Sequence, residues 1–141
     1  NKVVSSLNDE LSELRDYLLN LARRHDIDVE DMLSTTGTHM YVRVFNKIFM
    51  NPNETKATYE FGLAHELAHA IYGDPNGEQY YPFSLLFRKT EEKIANKNAI
   101  RLISDFVYRD TPLECRNWEH FIDIFNLPSY FEGIVKEIIY D

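Results

Sequence analysis

The feature that most constrains this chain is the five-residue segment His65–His69 (HELAH), in which two histidines stand four residues apart. The surrounding stretch 59–72 has no proline and one glycine, so we predict that the motif lies in a helix. Positions i and i+4 share a helix face, which lets both imidazoles reach one metal ion. Glu66 follows about 100° around the axis. This pattern is typical of zinc hydrolases, with the histidines as ligands and the glutamate as general base.

The alternative is an ordinary amphipathic helix whose histidines are merely exposed. Its buried stripe would consist of Phe61, Ala64, Ala68 and Ile71. The two histidines belong to a different face from this stripe, and Gly73, followed by Asp74-Pro75, gives the helix a defined C′ residue. Metal binding is therefore the interpretation that we favour.

Length, charge and cysteine content narrow the class of protein. A chain of 141 residues predicts a single domain over 1–141, and its net charge of −8 argues against direct nucleic-acid binding. We find no signal peptide and no apolar run long enough for a membrane span. The single cysteine, Cys115, cannot form an internal disulfide, which fits a cytoplasmic protein. We interpret it as structural rather than as a catalytic thiol.

The segments before the motif predict a helix and a small sheet. Leucines at helical spacing predict an amphipathic helix over about 6–24, capped by Ser5 or Ser6, which packs onto its own domain. A short helical turn is expected at Val29–Leu33. Thr38–Phe45 and Lys47–Met50 are rich in β-formers and predict an antiparallel hairpin. Its edge strand is placed to receive a substrate as an added strand.

The remaining elements complete the predicted fold, which is α+β and zincin-like, mostly helical, with a small antiparallel hairpin beside the motif helix. Asn53 or Thr55 is expected to cap that helix. Two short helices end the chain, the second at Ser129–Ile139, and core packing is preferred over docking of a partner protein for their aromatic residues. The other three histidines are interpreted as surface residues: His25, His39 and His120.

A catalytic zinc needs a third protein ligand and an open fourth position. The segment Ser84–Tyr108 lacks glycine and proline and predicts a helix, in which one face carries Glu92, Ala95, Asn96, Ala99 and Ile103. Small residues beside a carboxylate permit close docking on the motif helix, so Glu92 is the predicted third ligand. Asn96, one turn later, is placed to accept a hydrogen bond from a ligand histidine. The alternative is that Glu91 and Glu92 form an exposed acidic pair.

The motif helix and the segment that begins at Glu92 together resemble a known family. HELAHAIYGD, followed by E-x-x-A-N-x-x-A-x-x-L-I, resembles the ImmA/IrrE family of metallopeptidases over about residues 55–103. By position, the resemblance implies His65 and His69 as ligands, Glu66 as catalytic base and Glu92 as third ligand. It also implies cleavage or other inactivation of a helix-turn-helix repressor in phages, mobile elements or stress responses. The chain departs from the family at Asn98, where phenylalanine is usual, and at Ser104, where proline is usual.

The predicted activity is that of a zinc-dependent endopeptidase with one Zn²⁺ per chain, although another divalent metal suits the same ligands. The ion would activate a water and polarise the scissile carbonyl, while Glu66 moves the proton to the leaving amine. Tyr72 is a candidate for stabilising the oxyanion. The rival hypothesis is a non-catalytic antirepressor with a structural or vestigial metal site. A metal-free structural domain is the third.

Overall fold

The computed structural model describes residues 2–32, 37–76 and 85–141. Its helices are α1 (Lys2–Arg24), α2 (Tyr59–Tyr72), α3 (Leu85–Val107), α4 (Trp118–Phe125) and α5 (Glu132–Ile139). Its strands are β1 (Asp28–Asp31), β2 (Met40–Val42) and β3 (Lys47–Met50). The fold class is confirmed as α+β and zincin-like. Among the described helices, none is both long and apolar enough to cross a bilayer.

The strands form one mixed sheet in the order β1-β3-β2. The antiparallel pairing of β2 with β3 is confirmed, with Tyr41 opposite Ile48. The helical turn predicted from Val29 is wrong in its described part, because β1 pairs in parallel with β3 and places Val29 beside Ile48. This pairing occupies backbone groups that a helical turn would need, so tertiary contact overrides local propensity. Leu33, the last residue of that predicted turn, lies outside the described residues.

The ends of two helices differ from prediction. α1 begins at Lys2, before the predicted caps Ser5 and Ser6. α2 is capped by Thr58, whose Oγ1 accepts the N–H of Phe61 at 3.3 Å, and not by Asn53 or Thr55. The helix ends before Gly73 as predicted, but Gly73 is extended (φ −71°) rather than left-handed. Glycine is needed there because a Cβ would overlap the carbonyl oxygen of His69.

The hydrophobic core lies between α1, α2, α3 and the C-terminal helices. The inward face of α1 is buried at Leu14, Leu18 and Ala22, which confirms that this helix packs onto its own domain. The C-terminal helices contribute Phe121, Phe125, Phe131, Val135, Ile138 and Ile139 to the same core. Their apolar faces are therefore packing surfaces, although Tyr130 is 73% exposed.

Candidate metal centre

The site lies where α2 crosses α3. Small side chains are buried at this crossing: Ala64, Ala68, Ala95 and Ala99. Because small residues allow helix axes to approach closely, the longer side chains of His65 and Glu92 meet at the edge of the contact. The predicted docking of the two helices through alanines is confirmed by this burial.

Three side chains converge at the edge of this crossing. Nε2 of His65 lies 3.0 Å from Oε2 of Glu92, and Nε2 of His69 lies 3.0 Å from Oε1 of the same carboxylate. The two Nε2 atoms are 3.2 Å apart. Two donors bound tetrahedrally to zinc at ordinary distances are about 3.3 Å apart. The spacing and the nitrogen and oxygen donors therefore fit a single zinc ion, with a small adjustment of the side chains.

Glu66 lies beside these donors and is a second carboxylate within reach of a cation. The ligand atoms of His65, Glu66 and His69 all lie within 4.8 Å of one another. However, Oε1 of Glu66 accepts the backbone N–H of Tyr41 at 2.9 Å, and its Oε2 is 3.9 Å from Nε2 of His65. That second distance exceeds the spacing expected between two zinc ligands. Glu92 is closer to both histidines than Glu66 is, so its carboxylate is the better placed of the two to complete a set of three donors.

The acid–base properties of the metal-free cluster follow from burial and charge. Burial raises the pKa of Glu66, against the opposing effects of His65 and His69. Burial alone would raise the pKa of Glu92, but hydrogen bonds to both histidines outweigh it and hold the pKa far below its usual range. Burial opposes protonation of His65, whereas Glu92 and Glu66 favour it, and the net effect is a raised pKa. A proton thus stabilises this cluster where a metal ion would otherwise do so.

Of the two remaining predicted site residues, the structure places Asn96 at the cavity and Tyr72 outside the cavity lining. Asn96 lines the same cavity, and its side chain contributes to the raised pKa of His65. Tyr72 is 53% exposed and is not among the residues lining that cavity. Its predicted oxyanion role therefore has no support from the described geometry. Tyr72 is the last residue of α2, and its neighbours Gly73 and Asp74 line the cavity while its own side chain is largely exposed. The loop after Gly73 also carries Tyr80 and Tyr81, which its sequence offers as candidates for the rim of the site, and both lie outside the described residues.

The donors open into a cavity of about 880 Å³. One wall is formed by β2 and the residues just before it, and the floor is formed by α2 and α3. Leu127, Pro128, Tyr130 and Phe131 form the opposite wall. A cavity of this volume is within the range of ligand-binding sites in proteins.

Sequence reasoning missed two features of this site. His39, expected at the surface, is half-buried, lines the cavity and accepts the N–H of Asn51 at Nδ1 over 2.9 Å. Arg43 donates from its guanidinium to the carbonyl oxygen of His69 at 3.1 Å and so satisfies the end of α2. Gly62 was an available signal for the first feature, because a glycine inside a helix often marks a close contact. A Cβ at Gly62 would overlap the ring of His39.

The comparison with known families agrees with this geometry. The Peptidase M78 family model, described as the IrrE N-terminal-like domain, matches residues 22–134. No curated protein and no solved structure matches the chain significantly. The matched range contains both helices of the site and all three strands, and it covers well over half of the chain. The chain therefore belongs to the Peptidase M78 family of ImmA/IrrE-type metallopeptidases.

Proposed function

We propose that this protein is a zinc-dependent endopeptidase that cleaves a helix-turn-helix repressor in the cytoplasm and so releases silenced genes. The observation that carries the proposal is the meeting of His65, His69 and Glu92 at 3.0–3.2 Å beside a buried Glu66. Three protein ligands with a free fourth position are typical of catalytic zinc, whereas structural zinc usually has four. Family membership supports the same reaction class.

The metal ligands and Glu66 have different roles in the proposed hydrolysis. A bound Zn²⁺ ion supplies Lewis acidity, which activates a water molecule near neutral pH and polarises a carbonyl group. Glu66 is held by Tyr41 through one carboxylate oxygen, which leaves the other oxygen free on the side of the histidines. Its raised pKa suits a group that takes a proton from the attacking water and passes it to the leaving amine.

The substrate strand is proposed to add to the free edge of β2. Among the described strands β2 pairs with β3 alone, so its other edge faces the cavity. The N–H of Tyr41 is bound to Glu66 rather than to β3, which identifies Tyr41 as a residue whose backbone groups point away from β3. The substrate can therefore pair with the carbonyl oxygen of Tyr41, while its N–H remains committed to the base.

The repressor as substrate rests on the resemblance to the ImmA/IrrE family and on charge. The net charge of −8 is unfavourable for DNA but suits a basic DNA-binding protein as a partner. Residues of the cavity walls would then contact a peptide segment of that protein rather than nucleic acid.

The experiment is to incubate the zinc-loaded protein with the helix-turn-helix repressor encoded beside its gene, with and without chelator. Intact mass spectrometry should show two repressor fragments that are absent when the metal is removed or when Glu66→Gln replaces the wild type. Release of the repressor from its DNA without fragments would contradict the peptidase assignment and favour the antirepressor hypothesis. No effect on the repressor would contradict both.

A further inference from the structure

His39 is held in place through one of its two ring nitrogens. Nδ1 accepts the backbone N–H of Asn51 at 2.9 Å. Asn51 is itself 2% exposed and fixed on two sides: its Nδ2 donates to the carbonyl oxygen of Gly37 at 2.9 Å, and its Oδ1 accepts the N–H of Asn53 at 3.0 Å. The group that positions His39 is therefore buried and fully hydrogen-bonded.

This contact determines which nitrogen carries the hydrogen. A ring nitrogen that accepts a backbone N–H bears no hydrogen, so the neutral ring has its hydrogen on Nε2. Protonation of Nδ1 would place its hydrogen against the amide hydrogen of Asn51 and break this hydrogen bond. Burial also lowers the pKa of His39, against the raising effect of the Glu54 charge, and so favours the neutral ring.

Among the described residues, no acceptor is found for the Nε2–H group, and the ring of His39 lines the cavity of the metal centre. In that part of the chain no buried side-chain nitrogen or oxygen lacks a partner. The Cδ2–Nε2 edge of the ring rests against Gly62 of α2, one turn before His65 and Glu66.

We infer that His39 donates a hydrogen bond from Nε2 to the carbonyl oxygen of the scissile peptide bond and stabilises the negative charge that develops there. The inference rests on the peptidase function proposed above. It assigns to His39 the role that the sequence suggested for Tyr72. A donor fixed before the reaction stabilises a developing oxyanion more than a mobile one, because no reorganisation is needed. A bound metal would supply Lewis acidity to the same carbonyl, and His39 would add a fixed hydrogen-bond donor.

Two substitutions at His39 distinguish the loss of the Nε2–H donor from the loss of ring packing against Gly62. His39→Phe keeps a ring against Gly62 and removes the donor, whereas His39→Gln restores a side-chain N–H. His120→Phe, at an exposed histidine of α4, is the matched control. All variants are expected to retain the zinc content and circular dichroism spectrum of the wild type, because His39 is not a ligand.

The first measurement uses inorganic phosphate, a tetrahedral anion, as the probe for zinc-loaded protein. We expect His39→Phe to weaken phosphate binding at least tenfold in calorimetry, with partial recovery in His39→Gln and no change in His120→Phe. A crystal structure with phosphate should place one of its oxygens within hydrogen-bond distance of Nε2 of His39. Equal affinity in His39→Phe, no phosphate binding by the wild type, or a phosphate remote from His39 would overturn the inference.

The second measurement is cleavage kinetics with the repressor. Loss of the donor should lower kcat by about 10²–10³-fold with little change in KM, which is the effect of removing one oxyanion donor. The two measurements test the peptidase function and the donor assignment of His39 independently. If the wild type cleaves nothing but His39→Phe weakens phosphate binding, the peptidase function is wrong and the donor assignment stands. If His39→Phe cleaves at the wild-type rate, the donor assignment is wrong and the peptidase function stands.

Discussion

The backbone N–H of Tyr41 donates to Oε1 of Glu66 across 2.9 Å, so the edge strand and the proposed base are joined directly. Glu66 is buried, and this hydrogen bond fixes one of its two carboxylate oxygens. The orientation of the base therefore depends on the backbone of β2 as well as on helix α2. A substrate strand that pairs with β2 would be aligned by the same backbone that holds the base.

Glu66→Gln should retain the metal and lose cleavage. Glutamine keeps an oxygen that accepts the N–H of Tyr41, so the fold and the ligand positions should persist. It cannot take a proton, and we expect kcat/KM to fall by about 10²–10⁴-fold. Metal analysis and cleavage kinetics check this result, with Glu114→Gln at an exposed glutamate as control. Cleavage by Glu66→Gln at the wild-type rate would show that another group acts as base.

Glu92→Gln should weaken zinc binding by about 100-fold or more, because a charged ligand becomes a neutral one. The neighbouring Glu91→Gln is the matched control. Its carboxylate lies on the same helix and lines the cavity but forms no described contact with either histidine. Competition with a chromophoric chelator measures both affinities. Equal affinities for the two variants would contradict the assignment of Glu92 as ligand.

Zinc affinity should fall as the pH is lowered through the raised pKa of His65. Glu92 and Glu66 favour the protonated ring against burial, so zinc must displace a proton from His65 when it binds. The affinity is therefore expected to decrease about tenfold per pH unit below that pKa, with proton release on binding. Calorimetry in buffers of different ionisation enthalpy measures the protons released. Zinc affinity that is constant between pH 5 and 8, with no proton release, would contradict this.

The metal-free protein should show the opposite trend at neutral pH. The raised pKa of His65 contributes stability below its usual value of 6.5, and this contribution is lost as the pH rises through the raised pKa. The lowered pKa of Glu92 contributes stability above 4.5, which is lost as the pH falls through the lowered value. Both contributions are present between pH 4.5 and 6.5. Urea unfolding of chelator-treated protein should therefore show that the His65–Glu92 pair stabilises most in this window, whereas in Glu92→Gln this contribution should be reduced.

Gly62→Ala should destabilise the protein by about 1–3 kcal/mol because the new methyl group overlaps the fixed ring of His39. Helix propensity alone predicts the reverse, since alanine exceeds glycine by about 1 kcal/mol. The double variant His39→Ala, Gly62→Ala tests the cause, because without the ring the added methyl group should no longer be unfavourable. Urea unfolding measures the change in the free energy of unfolding caused by Gly62→Ala in the wild type and in His39→Ala. An equal effect of Gly62→Ala in each would show that the ring is not responsible.

Tyr72→Phe should leave kcat within about twofold of the wild type, because Tyr72 does not line the cavity. Tyr130→Phe is a useful comparison, because its ring lines the cavity and is exposed there. Parallel cleavage kinetics with the repressor measure both. A large loss of kcat in Tyr72→Phe would show that the C-terminal end of α2 moves into the site when substrate binds.

Local periodicity predicts the parts of this site that lie on helices. The positions of His65, Glu66 and His69 follow from one turn of α2, and the alanine face of α3 identifies Glu92 and Asn96. β1 was not predictable in this way, because its sequence Asp-Val-Glu-Asp has little strand propensity and depends on pairing with β3. His39 was not predictable because only the packing of the sheet on α2 brings it to Gly62. The choice of Thr58 as cap among several polar residues also involves a distant contact, because the N–H of Thr58 donates to the carbonyl oxygen of Phe125 at 3.2 Å.

The central place of β3 has a consequence for how the chain can be divided. The family match starts at residue 22, inside α1, and therefore includes β1. This strand covers the side of β3 that does not pair with β2. A fragment starting after Asp31 would leave the backbone groups of Lys47–Met50 unpaired along that side. Such an uncovered strand recruits other chains, so the shortened protein should self-associate before its catalytic competence can be judged.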